Sequence, residues 1–142
     1  MSPLSSPPAG VSFHKDASLL VWRPPGVITE GVVDEVVAYL DDLELRREKP
    51  FHRFIDTDQT EAIELNYRYI MTVSLYRRLA YKGPVIKSAI LVTKEAMMRY
   101  FKIHALLTQG SKIKVRLFPK RVAVAKWLDV PLKLLASKNE EG

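Results

Sequence analysis

The chain predicts an α/β domain built on a five-stranded, mixed but largely parallel sheet with four helices. Three observations carry that expectation. Short β-branched or alternating runs are separated by stretches with helical spacing of apolar residues. The order reads β-β-α-β-α-β-α-β-α, and strands alternating with helices imply right-handed crossovers onto parallel neighbours. The composition, 47% hydrophobic and 27% charged over 142 residues, is that of one ordinary globular domain.

Each element has its own signature. "VSFHKDASLLVWRP" reads as two strands, Val11–His14 and Ser18–Arg23, around a Lys-Asp-Ala turn, and "RPPG" breaks the second. Thr29 can cap a helix whose first turn holds Glu30, where a negative charge suits the helix dipole. Val32, Val33, Val36, Val37, Leu40 and Leu43 then recur at helical spacing, with Asp34, Glu35, Asp41 and Asp42 mostly opposite. "FHRFID" is a strand. A second helix is expected from about Glu64 to Leu79, ended by "KGP". "VIKSAILV" has too little polarity for an exposed strand, which makes it central. Thr93 is expected to cap a third helix through Leu107, with Gly110 as the left-handed residue after it. "KIKVRLF" alternates strictly: Lys112, Lys114 and Arg116 face one way, Ile113, Val115 and Leu117 the other. "KRVAVAKWL" is a last short helix. Residues 1–10 read as a Pro/Ser-rich flexible leader, 11–130 as the domain and 131–142 as a tail.

The absence of cysteine excludes disulfides, thiol nucleophiles and Cys-based metal centres, and it fits a reducing cytoplasm. The first residues lack the basic and apolar regions of a signal peptide, and no apolar run approaches the ~18 residues of a membrane span. Charge is unevenly spread. Residues 1–64 hold 6 Lys/Arg against 12 Asp/Glu, whereas residues 65–142 hold 16 against 4.

"FIDTDQTEAIELNYR", residues 54–68, sets four carboxylates in nine positions after an apolar strand. Asp56-Thr57-Asp58-Gln59-Thr60 matches the D-x-D-x-T opening of the haloacid-dehalogenase phosphatases. Metal-assisted phosphoryl transfer needs further oxygen ligands, and only Glu95, Asp129, Glu140 and Glu141 follow Glu64, never paired at a strand end. The phosphatase reading is therefore set aside. A better resemblance lies in the element order, in "GVIT" before the first helix and in the ending "SKIKVRLFPKRVAVAKWL". These resemble the STAS superfamily, in particular its SpoIIAA-like branch, whose members end in a strand "IEVRVF" and a helix closing in "ALAWL". The matching pieces here are Ile113–Phe118 and Val122–Leu128, and the likeness runs from about residue 11 to 129.

The resemblance implies a bacterial, cytoplasmic, non-enzymatic regulatory module. In STAS-type antagonists an Asp-Ser-Ser phosphorylation site stands about eight residues beyond the strand-ending Asp. Counting from Asp56, Glu64-Leu65-Asn66 takes that place, and Leu65 has no hydroxyl to carry phosphate. The usual phosphorylation switch is thus not expected. The acidic residues read instead as turn and helix-start groups, with Asp58 or Thr60 capping a turn and Glu64 paired to Arg68 at i,i+4.

No catalytic residue, metal site or cofactor is expected. His14, His52 and His104 have no nearby ligand partners, and G-x-S-x-G, G-x-G-x-x-G and the P-loop pattern are absent. The second helix, "LNYRYIMTVSLYRRL", is apolar or aromatic nearly all round, more than one sheet-facing stripe requires. A protein-partner surface is therefore expected at Glu64, Asn66, Tyr67, Arg68, Tyr69, Tyr76, Arg77 and Arg78, with a homodimer as its first form. The alternative is a carrier or sensor of a lipid or other apolar small molecule held between this helix and the next. Such a ligand has a parallel in the CRAL-TRIO lipid-transfer domains, which share a related βα superhelix with the STAS proteins. The basic row Lys112, Lys114 and Arg116, extended by Lys87 and Arg53, suggests a polyanion. It carries no interleaved aromatic residue and no nucleic-acid motif, so nucleic acid is not the expected partner.

Overall fold

Val11–His14 (β1) passes through a 3-10 segment, Lys15–Ala17, into Leu19–Trp22 (β2), to which it pairs antiparallel. All four residues of β2 are buried. Pro24 and Pro25 end β2, and Gly26, at φ +67°, redirects the chain into a short strand, Gly26–Thr29 (β3). The Thr29 hydroxyl accepts from Val32 N and caps Glu30–Arg46 (α1) as expected. There follow His52–Asp56 (β4), Thr60–Glu64 (β5), Tyr67–Ala80 (α2), Ile86–Leu91 (β6), Glu95–Thr108 (α3), Ile113–Phe118 (β7), Arg121–Leu128 (α4) and the single turn Leu132–Leu135 (α5). The structure is a computed structural model that describes residues 6–136. The start of the expected leader, residues 1–5, and the tail from 137 onward lie outside the described residues.

The fold is α/β. Five strands form one mixed sheet in the order β1-β2-β4-β6-β7, in which β2, β4, β6 and β7 run parallel. Each crossover advances one strand in the same direction. The three long helices α1, α2 and α3 accordingly gather on one face, over Leu20, Trp22, Ile90 and their neighbours. The opposite face, with Leu19, Val21, Phe54, Ala89 and Phe118, packs under α4 and α5. Leu135 is fully buried in that second cluster, so the packed region runs past residue 130.

Three details depart from the sequence reading. A second, two-stranded parallel sheet joins β3 to β5 above the main sheet. Because β5 extends through Glu64, α2 begins at Tyr67 and not near 64; Asn66 is its cap, accepting from Tyr69 N at 2.7 Å. The third helix has Lys94 and not Thr93 at its cap, without a side-chain bond, while Gly110 does adopt φ +80°.

The basic row also divides. Lys112, Lys114 and Arg116 are exposed along β7. Lys87 shares their face by register, but its Nζ donates to the Trp127 carbonyl at 2.7 Å. Arg53 lies on the other face, opposite Ser88, and is buried. It does not extend the row.

Candidate functional site

The acidic loop that opens β5 is a structural knot. Asp56 ends β4 with its carboxylate 1% exposed. Its Oδ2 accepts from Arg23 Nε at 3.2 Å and Arg121 Nη2 at 2.8 Å, and its Oδ1 accepts from Asp58 N at 3.0 Å. Arg23 also donates to the carbonyls of Leu135 and Ala136, tying the last helical turn to the sheet. Thr57 donates to the Leu91 carbonyl and Thr60 to that of Pro24, while Lys94 Nζ donates to the Thr60 carbonyl. The hydroxyls are thus committed to backbone. No group of three or more His, Asp or Glu able to hold a metal ion occurs among the described residues.

The eight residues expected to form a partner surface separate into two sets. Glu64, Asn66, Tyr67, Arg68, Tyr76 and Arg78 are exposed. Tyr69 and Arg77 face α1. The Tyr69 hydroxyl donates to the Asp34 carboxylate and to the Glu30 carbonyl, and desolvation, then Asp34, raises its pKa. Arg77 is buried, with Nη1 on Asp41 at 2.6 Å and Nη2 on Glu44 at 2.6 Å. Tyr76 is tied as well, its hydroxyl donating to Asp41 at 2.6 Å. Arg78 donates to the carbonyls of Leu107 and Gln109 at the end of α3. Leu65 packs with the apolar cluster under α1. Glu64 belongs to β5, so it has no helical i,i+4 relation to Arg68.

Outside these ties, α2 carries an uncovered apolar ladder: Tyr67 (43% exposed), Met71 (46%), Leu75 (43%) and Leu79 (69%). Spacing of four residues places them on one line along the helix. Among the described residues only Tyr67 of these has an aromatic neighbour, Tyr100 of α3, with ring centroids 5.5 Å apart, and Arg99 of α3 hydrogen-bonds to its side chain.

Beneath the helices lies a cavity of about 150 Å³, bounded by the sheet, α1, α2, α3 and the small β3–β5 sheet. Its body is aliphatic and aromatic, with Val36, Ile55, Ile63 and Phe101 among its walls. Polar groups gather from four neighbouring elements: Arg53 and Ser88 on the adjacent strands β4 and β6, and Ser74, Arg77 and His104 on α2 and α3. His104 Nδ1 lies 2.7 Å from the Ser74 hydroxyl. Burial, then the nearby Arg77 charge, pushes the imidazole down to about 4, so it is neutral at physiological pH. A Ser–His contact invites comparison with an activated nucleophile, which requires an accessible hydroxyl and a group orienting the far imidazole nitrogen. Ser74 is 0% exposed, and His104 Nε2 bonds to none of the described residues. The pair orients the imidazole; it does not present a nucleophile.

A second hollow of about 360 Å³ opens between the C-terminal ends of α1 and α2. Arg53 lines both hollows. Glu44, reached by Arg53 Nη2 and by Arg77, thus sits in the partition between them. Desolvation lowers Arg53 to about 10 despite the opposing pull of Glu44.

Ser74 and Ser88 are marked by no spacing, since they lie on different elements, and His104 is noted in the sequence only as a histidine without nearby ligand partners. The available signal was polar residues breaking apolar runs, a serine in "IMTVSLY" and a histidine in "FKIHALL". Comparison of the chain with protein-family models, curated proteins and solved structures gave no match in any of the three. No helix among the described residues is long and apolar enough to cross a membrane.

Proposed function

We propose that this protein is a non-enzymatic, STAS-like regulatory module of the bacterial cytoplasm that acts through protein–protein contact, with a second copy of the chain as first partner. The uncovered ladder Tyr67–Met71–Leu75–Leu79 is the observation that carries the reading. Four large apolar groups in line on one helix form the kind of surface that interfaces cover. Charge favours self-association. Exposed Glu61 and Glu64 stand before the N-terminus of α2, and exposed Arg78 and Lys82 near its C-terminus. Across a two-fold axis the helices run antiparallel, and each acidic end meets a basic one. Leu65 leaves the family's phosphorylation position without a hydroxyl, so association is constitutive or answers to another signal.

Light scattering after gel filtration tests this reading. Wild type at micromolar concentration is expected at twice the monomer mass, and Met71→Glu/Leu75→Glu at the monomer mass with unchanged circular dichroism. A monomeric wild type would remove the claim.

The partly open cavity under the helices favours a second reading, in which the module carries or senses an apolar small molecule. Its volume limits the choice. Pockets for drug-sized ligands run to about 300–1,000 Å³, and a cavity near 150 Å³ matches one that holds benzene. A long-chain lipid would extend beyond it.

A further inference from the structure

We infer that the cavity under α1–α3 is a binding site for a neutral molecule of about one ring that bears a single hydroxyl, with the Ser88 hydroxyl and His104 Nε2 as its hydrogen-bonding partners. The inference rests on the second reading above and specifies its ligand. Size comes from the volume of about 150 Å³, and apolar character from walls such as Ile55, Ile63 and Phe101.

Neutrality follows from the charges at the polar end. Arg53 and Arg77 are both committed, the first to Glu44 and the Phe51 carbonyl, the second to Asp41 and Glu44. Two guanidinium groups face two carboxylates, which leaves no surplus positive charge for an anionic headgroup. A carboxylate ligand would be desolvated without a dedicated partner.

The hydroxyl follows from what is left uncommitted. The Ser88 hydroxyl on β6 and Nε2 of the half-buried His104 line the cavity and bond to none of the described residues, so both are open to a ligand. Trp22 Nε1 in the same wall is a buried donor without a partner that a ligand oxygen can satisfy. The serine can donate or accept. Nε2 donates if Nδ1 accepts a hydrogen bond from the Ser74 hydroxyl, and accepts if Nδ1 carries the proton. A ligand hydroxyl, itself donor and acceptor, satisfies either tautomer; a ketone or an ammonium satisfies only one.

The test titrates the full-length protein with phenol, toluene and benzoate, following backbone amide NMR shifts. The expected result is saturable binding of phenol, at least ten-fold weaker binding of toluene, and none of benzoate. Shifts should be greatest around Ser88, His104 and Ile63. Ser88→Ala, a small change in a buried strand, should bring phenol down to the toluene level while toluene still binds. Val37→Phe, placing a ring in the cavity wall, should abolish both with the fold retained. Equal binding of phenol and toluene would overturn the hydroxyl assignment and leave an apolar-ligand site standing. Preferred binding of benzoate would overturn neutrality. No saturable binding of any probe to the folded protein would overturn this inference together with the carrier reading.

Discussion

Asp56 is the residue on which the acidic stretch turns. Two arginines and a backbone N–H converge on a carboxylate that is almost wholly buried, and one of those arginines also holds the last described carbonyls of the chain. Removing one partner of a buried ion cluster leaves the others desolvated and unpaired, at a cost of roughly 3–5 kcal/mol. Asp56→Ala is therefore expected to lower the urea midpoint by an amount equivalent to at least about 3 kcal/mol, whereas the exposed Glu61→Ala should change it little. His104 gives a second residue-scale expectation. Unfolded histidine takes up a proton near pH 6.5, and the folded imidazole only at about 4. The unfolded chain thus binds more protons inside that window. The stability present above pH 6.5 is lost as pH falls, by up to about 3 kcal/mol when the lower end is passed. Unfolding curves between pH 7 and 4 should be flatter for His104→Gln than for wild type. His52, also lowered by burial and by Lys87 and Arg53, keeps its own contribution of the same sign in both proteins.

At the scale of elements, α1 and α2 meet through long polar side chains: Tyr69 to Asp34, Tyr76 to Asp41, and Arg77 to Asp41 and Glu44. The acidic first half of the chain and its basic second half interlock along this line, which cancels part of the asymmetry read from composition. Glu44 serves both buried arginines, so Glu44→Gln should destabilise the protein by roughly 3 kcal/mol in denaturant unfolding. An effect below about 1 kcal/mol would mean that water, not Glu44, compensates those charges. Most elements were legible because their patterns are strong. The β-branched run of β6, the strict alternation of β7 and the Thr29 cap all have local causes. The small β3–β5 sheet was not legible. Gly26–Thr29 and Thr60–Glu64 are each too short to distinguish from a loop, and only their pairing makes them strands. Missing β5 displaced the start of α2 by one turn and moved Glu64 from helix to strand. The inward course of Arg53, Tyr69 and Arg77 was hidden for another reason: their carboxylate partners lie at least nine residues away on other elements.

For the whole molecule, one helix has two faces with different surroundings. The inner face of α2, with Ile70, Ser74 and Arg77, closes the cavity, and the outer face presents the apolar ladder. That arrangement was only partly visible beforehand. An apolar surplus on α2 could be counted in the sequence, but its division between a cavity and a surface depends on where α1 and α3 stand.

The central claim is that two copies meet along α2 in antiparallel fashion, and a unique cysteine tests it most directly. The chain has none of its own, so Met71→Cys introduces a single thiol, close to where the two-fold axis must pass if Glu61 and Glu64 of one copy face Arg78 and Lys82 of the other. A disulfide requires Cα atoms about 4.4–6.8 Å apart. Mild oxidation at micromolar concentration is predicted to convert Met71→Cys rapidly into covalent dimer, while Lys126→Cys, exposed on α4 over the opposite sheet face, stays monomeric. Equal, slow cross-linking of both variants would contradict the account.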